Sequence, residues 1–224
     1  MQGMPIRAIL FDVYGTLLDV HSAIAREGKE LGVHADAVSR LWRQKQLEYT
    51  WVWSLRGDYR SFRTLTQDAL DFAFAAHGIK SSALRDRLLL AYEQLDAFPE
   101  AAGALQALQR QGLRMAALSN GDPDMLENGL RAAGVRDAVE AVLSVAPLRI
   151  FKPDPRVYER GRAWAAARPD EIAFVSANAW DAGGAAAFGF RTFWIDRSGQ
   201  PDEYDIARRA TTIRSLGDLA AGLI

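Results

Sequence analysis

The stretch FDVYGTLLDV, residues 11–20, places Asp12 directly after an apolar run and then turns through Gly15 and Thr16. An ionisable group there is costly unless the position gives it a task. Three further loops carry polar residues after apolar runs: SNG at 119–121, KPDP at 152–155 and SANAWD at 176–181. Together they offer carboxylates, an ammonium, hydroxyls and amides. There is no cysteine, so thiolate chemistry and disulfides are excluded, as fits a reducing compartment. The three histidines, His21, His34 and His77, lie far apart in the chain without metal-ligand spacing, so neither a zinc site nor a Ser-His-Asp triad is expected. Taken singly, an Asp or Ser after a strand is usually a helix cap, and Lys-Pro-Asp-Pro is usually a loop. The four loops acquire meaning only if one fold brings them together.

The patterning supplies such a fold. IRAILFDV is a near-continuous apolar run of strand length, suited to a strand buried on both faces of a parallel sheet. Helical periodicity then dominates residues 20–96, as in LWRQKQLEYTWVWSL and FRTLTQDALDFAFAAHGI. After it, helix and strand alternate: AAGALQALQRQ, LRMAALSN, MLENGLRAAG, AVEAVLSV, RVYERGRAWAAA, EIAFVSA, AWDAGGAAAFG and RTFWID. This predicts an α/β fold, a doubly wound, Rossmann-like parallel-sheet core whose ligand crevice lies beyond the carboxyl ends of its strands. Residues 1–19 and 97–224 form the expected core, and 20–96 an inserted helical cap over the crevice. All four polar loops then face one another.

Composition narrows the partners. The chain is 49% apolar and 25% charged over 224 residues, enough for a sizeable core. With 27 basic and 28 acidic side chains its net charge is −1, so no general field attracts nucleic acid or an anionic membrane. No apolar run approaches the roughly 18 residues of a membrane span. A small-molecule partner and a cytoplasmic location are expected.

With these loops in this order, the chain resembles the haloacid dehalogenase superfamily over nearly its whole length. Phosphatases of that superfamily carry a second acid two residues after the nucleophilic aspartate and an acidic pair in the fourth loop that helps hold magnesium. Here Tyr14 takes the first place, and Ser176 and Ala177 stand where Gly-Asp would be, which leaves Asp181 as that loop's one acid. A hard dication would lack enough oxygen ligands. DVYGTL, WRQKQLEYT at 42–50, LSNG, KPDPRVY and SANAWD instead resemble the L-2-haloacid dehalogenase branch.

That resemblance implies hydrolytic dehalogenation of short-chain (S)-2-haloacids to (R)-2-hydroxy acids, with no metal and no cofactor. It implies Asp12 as nucleophile, Thr16 and Ser119 as polar supports, Arg43 and Asn120 at the leaving halide, and Lys152 beside the nucleophile. Tyr158, Ser176, Asn178 and Asp181 complete the polar set. Tyr14, Gln44, Leu47, Phe62 and Trp180 are implied at the substrate, with Ser119 and Asn120 also touching it. Homodimers are common in the branch, and the aromatic-rich cap could supply an interface.

General chemistry agrees with these roles. A buried nucleophilic Asp stays ionised only if a cation such as Lys152 offsets its desolvation. The backbone N–H groups after Ser119 open a helix and suit a substrate carboxylate. A guanidinium such as Arg43 can stabilise departing halide where water is excluded, and aromatic walls suit a carbon–halogen group. Two other readings remain: a phosphatase or phosphomutase on the same scaffold, disfavoured by Tyr14 and Ala177, and an interaction protein that has kept only the fold.

Overall fold

The computed structural model describes residues 5–222; the outermost residues of the expected core segments, 1–4 and 223–224, lie outside the described residues. Six strands form one parallel sheet: β1 (Ala8–Phe11), β2 (Arg114–Ser119), β3 (Ala141–Ser144), β4 (Ile172–Ser176), β5 (Arg191–Ile195) and β6 (Ala210–Ile213), in the order β3-β2-β1-β4-β5-β6. β1 is central, and all four of its side chains have no exposed surface. Since successive side chains point to opposite faces, both faces of the sheet are covered there. This accounts for the continuous apolar run.

The sequence pattern gives five strands, and the described residues form six. β6 (ATTI) is a short edge strand with two exposed threonines, so it carries neither a buried run nor an alternation long enough to read.

Between β1 and β2 come α1 (Ser22–Glu27), a 3₁₀ segment (Gly28–His34), α2 (Ala35–Leu55), α3 (Phe62–Ala76), α4 (Ser82–Tyr92) and α5 (Ala101–Arg110). α2 packs along α3, and α1 along α4. The outgoing and returning segments run side by side: Asp19 N donates to Asp96 O at 2.8 Å, and Phe98 N to Leu17 O at 3.0 Å. The remaining helices are α6 (Pro123–Ala132), α7 (Pro155–Ala165), α8 (Ala179–Phe188), α9 (Ile206–Arg209) and α10 (Leu219–Gly222). All three histidines stand at helix ends. His34 and His77, remote in sequence, nevertheless meet with ring centroids 5.7 Å apart, because the start of α2 lies beside the end of α3.

Register brings the loops together. Phe11 pairs with Ala117 on one side and Val175 on the other, so Asp12 comes level with Leu118 and Ser176. Gly15, at φ +89°, turns the chain back immediately afterwards.

Candidate active site

Asp12 emerges from β1 with its N–H donated to Val175 O at 2.9 Å, which fixes its backbone against β4. The residue is only 5% exposed, so both carboxylate oxygens need partners. Oδ1 accepts from Lys152 Nζ at 3.0 Å. Oδ2 accepts from Thr16 Oγ1 at 2.9 Å and Asn178 Nδ2 at 2.7 Å, while Ser176 Oγ stands at 3.5 Å. The two oxygens are therefore unequal.

Lys152 is fully buried and also donates to Asp181 Oδ2 at 2.8 Å. Asp181 Oδ1 accepts from the Tyr158 hydroxyl at 2.9 Å. Burial by itself would pull the Lys152 ammonium down, but the charges of Asp12 and Asp181 outweigh it and raise it above the ordinary lysine value. Asp181 is pushed up to about 6, by burial first and by the Asp12 charge, against the lowering pull of Lys152. The lysine shift follows from one cation serving two carboxylates, and the Asp181 shift from burial beside a second carboxylate. Burial and the neighbouring Asp181 push the Tyr158 phenol well up, which keeps it a hydrogen-bond donor.

α2 contributes Arg43. One guanidinium nitrogen donates to Tyr14 O and Asn178 Oδ1, each at 3.1 Å, and the other to Gln46 Oε1 at 2.9 Å. These acceptors are all neutral, so the cation keeps its full attraction for an anion. Asn178 links Arg43 to Asp12, since its Oδ1 accepts from Arg43 while its Nδ2 donates to Asp12 Oδ2, and Nδ2 also donates to Tyr14 O at 2.9 Å.

Ser119 is buried at the end of β2, where its Oγ accepts from Gly121 N at 3.4 Å. The side-chain oxygen of Asn120 accepts from Lys152 N at 2.9 Å, so its amide NH₂ is the end left to donate. The Tyr14 ring stacks between Phe62 and Tyr92, at centroid distances of 5.2 and 5.7 Å. Leu47 is half-buried and lines a cavity of about 510 Å³ with Arg43 and Asn178. Trp180 meets Trp51 edge-on at 5.5 Å and borders an apolar cavity of about 470 Å³ with Phe151 and Lys152.

Gln44 departs from this arrangement: it is exposed on α2, and the polar partner of Arg43 is the buried Gln46. The reason is helical geometry, because residues three apart share a face and adjacent residues do not. Gln46 also donates to Thr66 Oγ1 at 2.7 Å, anchoring α2 to α3 behind the arginine. The spacing from Arg43 was the signal available for it. Gly184 was likewise missed. A Cβ there would lie 2.5 Å from the Tyr158 hydroxyl and 2.8 Å from Pro153 Cβ, so only glycine lets α8 approach this closely. Gly184→Ala is expected to cost about 1–3 kcal/mol of stability by overpacking, read as a lower urea midpoint; an unchanged midpoint would show that α8 moves freely.

A parallel α/β sheet with an aspartate at the carboxyl end of its central strand, a lysine bridging that aspartate to a second, and an α-helical insertion define the class. The chain belongs to the haloacid dehalogenase-like hydrolases: the family model described as haloacid dehalogenase-like hydrolase matches residues 6–189. Within that family it is 47% identical over 216 residues to (S)-2-haloacid dehalogenase 1 of Pseudomonas sp. strain CBS-3, covering 96% of this chain and 95% of the relative. It is 45% identical over 215 residues to (S)-2-haloacid dehalogenase 4A of Burkholderia cepacia, covering 96% and 93%. The structure of L-2-haloacid dehalogenase from Xanthobacter autotrophicus with chloropropionic acid covalently bound superposes with a TM-score of 0.85 at 32% identity, over 96% of this chain and 97% of that one.

Proposed function

We propose that the protein hydrolyses the carbon–halogen bond of short-chain (S)-2-haloacids, giving (R)-2-hydroxy acids and halide through a covalent ester on Asp12. The observation that carries this reading is the inequality of the Asp12 oxygens. Oδ1, held by Lys152 alone, is the oxygen free to attack C2, and the halide leaves with the bonding pair toward Arg43 and the Asn120 amide. In-line displacement inverts that carbon. Oδ2 becomes the acyl oxygen and already faces the donors Thr16 and Asn178, which stabilise it when water adds to the acyl carbon. Asp181 takes a proton from that water and returns it to the departing alkoxide. Ser119, the backbone after it and Asn120 receive the substrate carboxylate, while Tyr14, Leu47, Phe62 and Trp180 form the apolar wall. The relatives' dehalogenase names, and the relative with chloropropionic acid covalently bound, support both the substrate class and the ester.

The donor set disfavours a magnesium-assisted phosphatase. The cation between Asp12 and Asp181 is the Lys152 ammonium, the residue two after Asp12 is an aromatic ring packed between two others, and no cluster among the described residues could hold a metal. Chloroacetate and (S)-2-chloropropionate are expected to release halide at the same rate with and without EDTA. Strict magnesium dependence, or inertness toward every 2-haloacid in a panel, would sink the reading.

The second half-reaction carries a pH signature. Asp181 must be ionised to accept the proton, so ester hydrolysis is expected to fall about tenfold per pH unit at acid pH. The ester removes the Asp12 charge that helps to raise Asp181, so the fall begins below the value of about 6 that Asp181 has in the free protein. Single-turnover kinetics check this; a flat profile over the whole acid range in which the protein stays folded would remove Asp181 as the base.

We further propose residues 20–96 as a cap, supported by the backbone hydrogen bonds that pair its outgoing and returning segments, and a cytoplasmic homodimer. Exposed Val52, Leu55 and Phe72 on α2 and α3 support self-association, and the absence of cysteine suits a reducing compartment. No helix among the described residues is long and apolar enough to cross a membrane.

A further inference from the structure

The loop that follows β2 ends in Asp122, a buried carboxylate to which the chemistry above gives no part. It occupies the N-cap position of α6, where an aspartate ordinarily accepts from its own helix, yet its side chain makes no such bond. Pro123 follows at the first helical position and removes one of the donors that would need a cap. The carboxylate is given instead to a different helix. Oδ1 accepts from Phe62 N at 3.3 Å and Oδ2 from Arg63 N at 2.9 Å. These are the first two N–H groups of α3, and the third, on Thr64, is taken by the Ser61 hydroxyl. Arg63 also forms ion pairs with Glu93 and with Asp124 on α6, the latter so exposed that the pair adds little to the junction.

Three parts of the site meet here. Phe62, whose N–H is held, lays its ring on Tyr14, and the Tyr14 ring lies so close to Gly121 that a Cβ there would be 2.8 Å from Tyr14 Cε2. Gly121 joins Asn120 to Asp122. One carboxylate thus ties the loop bearing Ser119 and Asn120 to the helix bearing Phe62, which backs the Tyr14 ring. We infer that Asp122 is a positioning residue that sets the separation between the substrate-carboxylate loop and the Phe62–Tyr14 wall. The inference rests on the reading of the site given above. Because wall and loop hold the substrate equally before and during displacement, loosening them weakens binding more than it slows chemistry.

Charge and position have opposite signs, which makes the test decisive. By charge alone, removing a carboxylate near an anionic substrate lowers KM; by position, losing this one raises it. Asp122→Ala is expected to raise KM for (S)-2-chloropropionate about tenfold, with kcat changed by less than about threefold, while the neighbouring Asp124→Ala leaves KM near the wild-type value. Asp122→Asn, which keeps one acceptor oxygen, is expected to fall between wild type and alanine and carries the test if the alanine variant does not fold. A wild-type KM in the folded variants, a fall in KM, or an equal rise in Asp124→Ala overturns the inference. Hydrogen exchange at the Phe62 and Arg63 amides in the protein without substrate supplies a readout free of activity. Faster exchange in the Asp122 variants but not in Asp124→Ala supports the tie, and unchanged exchange overturns it. If the wild type itself releases no halide from haloacids, the functional reading fails, and the exchange measurement still decides whether Asp122 holds α3.

Discussion

Asp12→Asn is expected to fold and to lose turnover of (S)-2-chloropropionate by about 10⁴-fold or more, the scale of removing a covalent nucleophile. The amide is nearly isosteric and can keep the Thr16 bond, but it cannot displace halide. Folding survives for an electrostatic reason. The buried group of Asp12, Lys152 and Asp181 places two carboxylates on one ammonium, and the substitution leaves a balanced pair. Stability within about 1 kcal/mol of the wild type is expected, with Asp181 relieved of its neighbour's repulsion. Activity alone does not separate a nucleophile from a general base, but isotope placement does. In one turnover by excess wild-type enzyme in oxygen-18 water, label is expected in the Asp12 carboxylate, because water attacks the acyl carbon and the hydroxyl oxygen of the product comes from Asp12. Label found first in the product hydroxyl would mean that water attacks C2 directly.

Asp12, Thr16, Lys152, Asn178 and Asp181 were legible because sheet topology does the assembling. Whatever follows a strand in a doubly wound fold must open on one crevice, so short sequence signals far apart in the chain converge without further information. What lay hidden depends on relations between elements. Gln44 and Gln46 stand only two residues apart, a little over half a helical turn, and which of them faces inward is settled by packing of α2 on α3. Asp122 reads in sequence as the cap of its own helix, since nothing local shows that α3 ends its approach there. Gly184 looks like one small residue in an Ala/Gly run until the Tyr158 hydroxyl is placed against it. β6 is exposed over half its length, so burial left no pattern to find.

Arg43→Ala is expected to lower kcat by about 10²–10³-fold, the range for removing a preorganised electrostatic contact to developing charge. The cost to folding is expected to stay near 1 kcal/mol, because the side chain is half-buried and gives up bonds to neutral oxygens that water can replace. Arg43→Lys restores charge but not the fork that reaches Gln46, Tyr14 and Asn178 together, so it should recover only part of the rate. The leaving group supplies the sharper test. Chloride departs less readily than iodide and relies more on stabilisation of the charge it develops, so the loss should be larger for the chloro than for the iodo substrate. Equal losses across the halogens would mean that Arg43 acts through Asn178 on the orientation of Asp12, and its place at the halide would have to be given up.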